Sequence, residues 1–106
     1  MKLIFAICSL EDAPQVQSSL TSANFIVTKL ATTGGFLNAG NITFLTAVEE
    51  DKIDSCVEII RQNSKKRTVD VSPEMLDAKK MDAASKQITV GGAIIFILNV
   101  EQFIKA

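Results

Sequence analysis

The chain contains no histidine, no tryptophan and no tyrosine, and only two cysteines among its 106 residues. Without histidine, the commonest metal ligand and general base is missing, and no Ser–His or Cys–His couple can form. Cys8 and Cys56 stand far apart, so no C-x-x-C pair is present for zinc. Cys8 lies in an apolar run and Cys56 in a helical pattern, so both are expected as buried, reduced thiols in a cytoplasmic protein. The formal net charge of −1 supplies no field for nucleic acid. Lys65-Lys66-Arg67 is too short to supply one and reads as a solvated basic edge. No segment is long enough to span a membrane. Met1 to Ile7 resembles the opening of a signal peptide, but its apolar run is short. Glu11 and Asp12 follow without a small-residue cleavage pattern, so a first strand is the better reading.

What is present is ordinary for one globular domain over residues 1–106: 47% apolar and 22% charged residues. Lys2 to Leu10 is apolar at almost every position and predicts a strand covered on both faces. Asp12 is placed to cap a helix, Pro14 fits its first turn, and Gln15 completes a weak capping box. Val16, Leu20 and Ala23 follow at helical spacing, and Ser22-Ala23-Asn24 offers a stop. Phe25–Thr32 and Asn41–Val48 are rich in β-branched and aromatic residues and predict strands. Glu49-Glu50-Asp51 is expected to cap a second helix, with Ile53, Cys56, Val57 and Ile60 on one face. Arg67–Val71 predicts a short edge strand. Residues 72–86 read as a polar insert, either a flexible loop or a short helix. Gln87–Val100 predicts a last strand, again apolar on both sides.

The order β-α-β-β-α-β is that of an α+β, ferredoxin-like sandwich, with both helices on one face of the sheet. No element is left for the other face, so self-association through the sheet is expected.

Candidate chemistry concentrates between the second and third strands. Thr32-Thr33-Gly34-Gly35 lacks the spacing of a Walker A loop, and a bare Gly-Gly also suits a hairpin turn. Its neighbours favour a ligand. Thr28, Thr32 and Thr33 bring hydroxyls, and glycine backbone can offer N–H groups to an anion. Phe36 and Leu37 are apolar where a turn is normally polar. Asn24 and Asn41 bracket the stretch, and their amides match the donor and acceptor edge of adenine. Gly91-Gly92 within the last strand marks a bulge or a close approach. Phe96, on the same strand, is a second stacking surface or a core residue. The carboxylates Asp12, Glu49, Glu50, Asp51, Asp54 and Glu58 fall at caps or exposed helix positions. Acylphosphatases, which share this topology, carry an arginine-bearing loop after strand one, where this chain has Ser9-Leu10-Glu11-Asp12. No enzyme is expected, and no metal site or cofactor.

The run Thr28-Lys29-Leu30-Ala31-Thr32-Thr33-Gly34-Gly35-Phe36-Leu37, followed by Ala39-Gly40-Asn41 and Thr43-Phe44-Leu45, resembles the signature of the PII-like cyclic di-AMP receptors, the PstA/DarA type. Val90-Gly91-Gly92-Ala93 with Phe96 is similar to that family's last strand. The resemblance implies a homotrimer of ferredoxin-like subunits, a nucleotide sensor binding cyclic di-AMP between subunits, with no catalysis and a downstream protein partner that the chain does not identify. It implies ligand contacts from Asn24, Thr28, Gly35, Phe36, Leu37 and Asn41, with Phe96 from the last strand, and makes residues 72–86 the family's large loop. Two positions depart from the family pattern: Ile26 stands where arginine is common, and Ala47 where glycine is common. The alternative reading is therefore a trimeric adaptor that has lost or changed nucleotide specificity and acts through protein contacts.

Overall fold

The computed structural model of the protein describes residues 1–32, 40–70 and 87–106. Gly35, Phe36 and Leu37, and the 72–86 insert, lie outside the described residues. The elements are β1 (Lys2–Ser9), α1 (Ala13–Ser22), β2 (Thr28–Thr32), β3 (Asn41–Val48), a 3-10 turn (Glu50–Lys52), α2 (Ile53–Gln62), β4 (Arg67–Asp70), β5 (Gln87–Val90) and β6 (Ala93–Asn99). Four strands form one antiparallel sheet in the order β2-β3-β1-β6, and β4 pairs with β5 in a separate two-stranded sheet. The four-stranded sheet with its two helices is the expected ferredoxin-like α+β arrangement.

Strand alternation sorts the sheet into two faces. Ile4, Ala6 and Cys8 of β1 share a face with Phe44 and Val48 of β3, and these pack with Val16 and Leu20 of α1 and Cys56 and Ile60 of α2. Each of the larger side chains contributes about 1.5–3 kcal/mol by leaving water. The opposite face carries Leu3, Phe5 and Ile7 from β1, Leu45 from β3, and Ile94, Phe96 and Leu98 from β6. Phe96 and Leu98 keep 44% and 46% of their surface exposed.

Several sequence expectations change at element ends. Asp12 occupies the N-cap position of α1, but its side chain makes no cap hydrogen bond; it accepts one from Ser9 Oγ at 3.0 Å instead. The α1 C-terminus consumes the start of the expected second strand. Asn24 adopts φ +69°, its N–H donates to Thr21 O, and Phe25 N–H donates to Leu20 O, each at 3.0 Å. That pairing is a Schellman cap, which diverts Phe25 from any ladder. The next carbonyl, of Ile26, accepts from Thr46 Oγ1 at 2.7 Å, so β2 begins only at Thr28. The Glu49-Glu50-Asp51 stretch does not cap α2 directly. It leads into a 3-10 turn, with no side-chain cap, before the helix starts at Ile53. Glu50 lies 3.8 Å from both the Met1 amino group and Lys2 Nζ.

The expected single strand over Gln87–Val100 is broken. Gly91 and Gly92 take φ +86° and +84°, separating β5 from β6 and placing them in different sheets. A Cβ on Gly91 would meet Lys65 O at 2.4 Å, and Gly92 N–H donates to Ser64 O. Close backbone approach therefore explains the pair. Arg67–Asp70 is correspondingly a partner of β5 and not an edge of the main sheet, whose edges are β2 and β6. After β6 the chain has a bend at Glu101 and no further regular element.

Candidate ligand-binding site

The described candidate residues fall into three places. Asn24 and Ala47 come together. With Ile26, Lys52 and Ser55 they border a cavity of about 350 Å³ between the end of α1, the end of β3 and the start of α2. Asn24 is there because the left-handed cap conformation tolerates asparagine. Ile26 is 86% exposed, although its backbone is fixed by Thr46.

Asn41 lies at the opposite end of β3, six residues from Ala47 and so about 20 Å along the strand. It is buried. Thr32 Oγ1 donates to Asn41 Oδ1 at 2.6 Å and lies 3.0 Å from Thr43 Oγ1. Thr32, Asn41 and Thr43 share the face away from the helices, because Thr32 is Cα partner of Asn41 and Leu30 of Thr43. Leu10 N–H donates to Gly40 O at 3.2 Å, fixing the entry to β3.

Thr28 and Phe96 lie in one row across the open face: Thr28 pairs with Leu45, Leu45 with Phe5, and Phe5 with Phe96. Three strand spacings, about 14 Å, separate the ends of that row. Within one subunit Phe96 is therefore not beside Thr28. Leu45 and Phe5 lie between them in that row. Lys29 is Cα partner of Phe44 and so projects from the helix side of β2, opposite Thr28.

Residues bordering the cavity that the sequence did not single out are Lys52, Ser55 and the backbone-adjacent Glu49, which served there only as a cap. No spacing signal ties them to Asn24; tertiary packing does. A second cavity of about 320 Å³, bordered by Arg61, Lys65, Lys66 and Gly92, contains none of the candidate residues.

Both thiols are buried and unbonded. Burial, and secondarily the charge of Asp12, pushes Cys8 up to about 11; burial alone pushes Cys56 up to about 11. Neither is a nucleophile at neutral pH. Among the described residues no cluster of three or more metal-ligating side chains occurs, and no helix is long and apolar enough to cross a membrane.

The fold defines the class: a ferredoxin-like α+β domain with a partly polar cavity at one end of an open-faced sheet. The particular family follows from comparison with known proteins. The family model described as "Cyclic-di-AMP receptor" matches residues 1–106, and the chain belongs to that family. It is also similar to a crystal structure of a functionally unknown protein from Pediococcus pentosaceus ATCC 25745, at 34% identity and a TM-score of 0.79, covering 99% of this chain and 96% of that one.

Proposed function

We propose that the protein is a non-catalytic cytoplasmic sensor of cyclic di-AMP, assembled as a homotrimer through its open sheet face, with ligand held at subunit junctions. The observation that carries the reading is family membership along the whole chain. The apolar face bearing Leu3, Phe5, Leu45 and Leu98 supports self-association, since a face of that kind left in water is an aggregation hazard. Assembly also removes the difficulty of the row from Thr28 to Phe96, because a neighbouring copy can bring its own Phe96 to this subunit's Thr28. The ligand contacts in this reading are Asn24, Thr28, Gly35, Phe36, Leu37, Asn41 and Ala47, with Phe96 from a neighbour. The insert at 72–86 belongs to the same single domain. Binding then changes the surface presented to a downstream protein, which responds only insofar as it prefers the liganded form.

Calorimetry with cyclic di-AMP, cyclic di-GMP and ATP, together with light scattering, tests the reading. Heat from cyclic di-AMP and a mass of three subunits are expected. A monomer, or no heat at protein concentrations well above ~10 µM, where even binding weaker than micromolar registers, overturns it.

A second reading, an adaptor without nucleotide binding, is favoured by one observation: an 86%-exposed apolar Ile26 borders the Asn24 cavity. On that reading Ile26→Arg with Ala47→Gly creates cyclic di-AMP binding that the parent lacks. Equal binding by both proteins sinks it.

A further inference from the structure

A cyclic dinucleotide carries two phosphodiester anions, and a site that desolvates them must return hydrogen bonds or positive charge. Three of the cations among the described residues are committed elsewhere. Arg67 pairs with Asp12 at 2.9 Å and Arg61 with Glu58 at 2.9 Å, while Lys2 donates to Asn99 and lies near Glu50. Lys29 stands on the helix side of β2. Lys52, Lys65, Lys66 and Lys105 make no ion pair among the described residues; of these, Lys52 borders the same 350 Å³ cavity as Asn24, Ile26 and Ala47, whereas Lys65 and Lys66 border the other one.

Ser55, three residues further on, borders that cavity too, as the i, i+3 relation at the start of α2 allows. Lys52, Ser55 and Asn24 thus border one concave space. Glu49 also borders it, and its carboxylate opposes an anion there. The side chain at position 26 brings no donor, so the positive charge at this cavity comes from Lys52, which ends the 3-10 turn leading into α2.

We propose that this cavity seats one phosphate of the cyclic dinucleotide and that Lys52 is the residue that neutralises it, with Ser55 as a second donor. The inference rests on the cyclic di-AMP reading above. It makes the start of α2 part of the binding surface and ties ligand occupancy to the α1–α2 end of the subunit. Affinity for cyclic di-AMP then carries a salt-dependent component from Lys52, and Glu49 weakens it.

The test is calorimetry with cyclic di-AMP at low and high salt on the full chain and on Lys52→Met, Lys52→Arg, Glu49→Gln and Lys29→Met, with melting curves for each. Loss of one charge-assisted hydrogen bond predicts roughly ten- to 150-fold weaker binding for Lys52→Met. It also predicts a shallower salt dependence, substantial rescue by Lys52→Arg, tighter binding by Glu49→Gln and no change for Lys29→Met. Melting temperatures should stay together, because Lys52 is exposed. If the parent binds cyclic di-AMP and Lys52→Met binds equally tightly with the same salt dependence, the phosphate seat is overturned while the sensor reading stands. If the parent binds no cyclic di-AMP, the sensor reading falls and the seat falls with it.

Discussion

Arg67 donates to both carboxylate oxygens of Asp12, from Nη2 at 2.9 Å and from Nη1 at 3.4 Å, across 55 residues of sequence. Asp12 sits at the start of α1 and its side chain is only 8% exposed, whereas Arg67 opens β4 and is 42% exposed. The pair joins the β4–β5 sheet to the main body at the point where the chain leaves α2. Hydrogen bonding to Asp12 and its charge hold the Arg67 guanidinium above its ordinary value.

Asp12→Ala should therefore lower the melting temperature by about 5–10 °C, the scale for losing one charge-assisted contact in a domain this size. A double-mutant cycle with Arg67→Met apportions the effect. Additive single changes would show that the pair contributes no coupling.

Asn24 serves two ends that can be separated. Its φ of +69° makes it the left-handed residue of the α1 cap, a conformation that costs most side chains about 1–2 kcal/mol. Asn24→Ala should destabilise the fold by roughly 1 kcal/mol. Asn24→Gly should leave stability close to the parent's and still weaken cyclic di-AMP binding, because only the amide is lost. Urea unfolding and calorimetry on the two variants read these effects independently.

Gly91→Ala meets both a left-handed backbone and Lys65 O, 2.4 Å from the added Cβ. A loss of about 2 kcal/mol or more is expected in urea unfolding. A neutral result would mean that the link between β5 and β6 can move as a unit away from Lys65.

The two thiols set an alkaline limit. Both are raised from 9.0 to about 11 in the folded chain, so the unfolded chain ionises first. Stability from this source is complete below pH 9 and is lost as pH rises through about 11. The urea midpoint should fall between those values. The fall should be smaller in Cys8→Ala/Cys56→Ala than in the parent, and an identical pH dependence would remove the thiols as its cause. Thiol reagents should react slowly with the native protein at pH 8.

Much of the frame was legible in the chain. The Asn41–Val48 strand has the bounds its β-branched run indicated. Cys56 and Ile60 are buried on the helix face that their periodicity defines, and Asn24 ends α1 as the Ser22-Ala23-Asn24 stop implied. Apolar residues on both sides of β1 announced a sheet with two apolar faces, and the structure puts helices on one of them. The break at Gly91-Gly92 was half legible. Two adjacent glycines announce an unusual backbone, but which carbonyl approaches them depends on where α2 ends.

The sequence alone determined the β-α-β-β-α-β order of the sandwich, the period of each apolar face and the absence of histidine-based chemistry, because these depend on residue type and local spacing. Tertiary structure alone decided which polar groups share a space. Asn24, Lys52 and Ser55 border one cavity because the Schellman cap, the end of β3 and the turn into α2 converge at one end of the sheet. Asn41 and Ala47 are kept apart because an extended strand rises about 3.3 Å per residue. Thr28 and Phe96 occupy opposite edges because β3 and β1 lie between β2 and β6. Local propensity has no access to that strand order, which follows from how the two crossovers cover one face of the sheet and leave the other apolar and open.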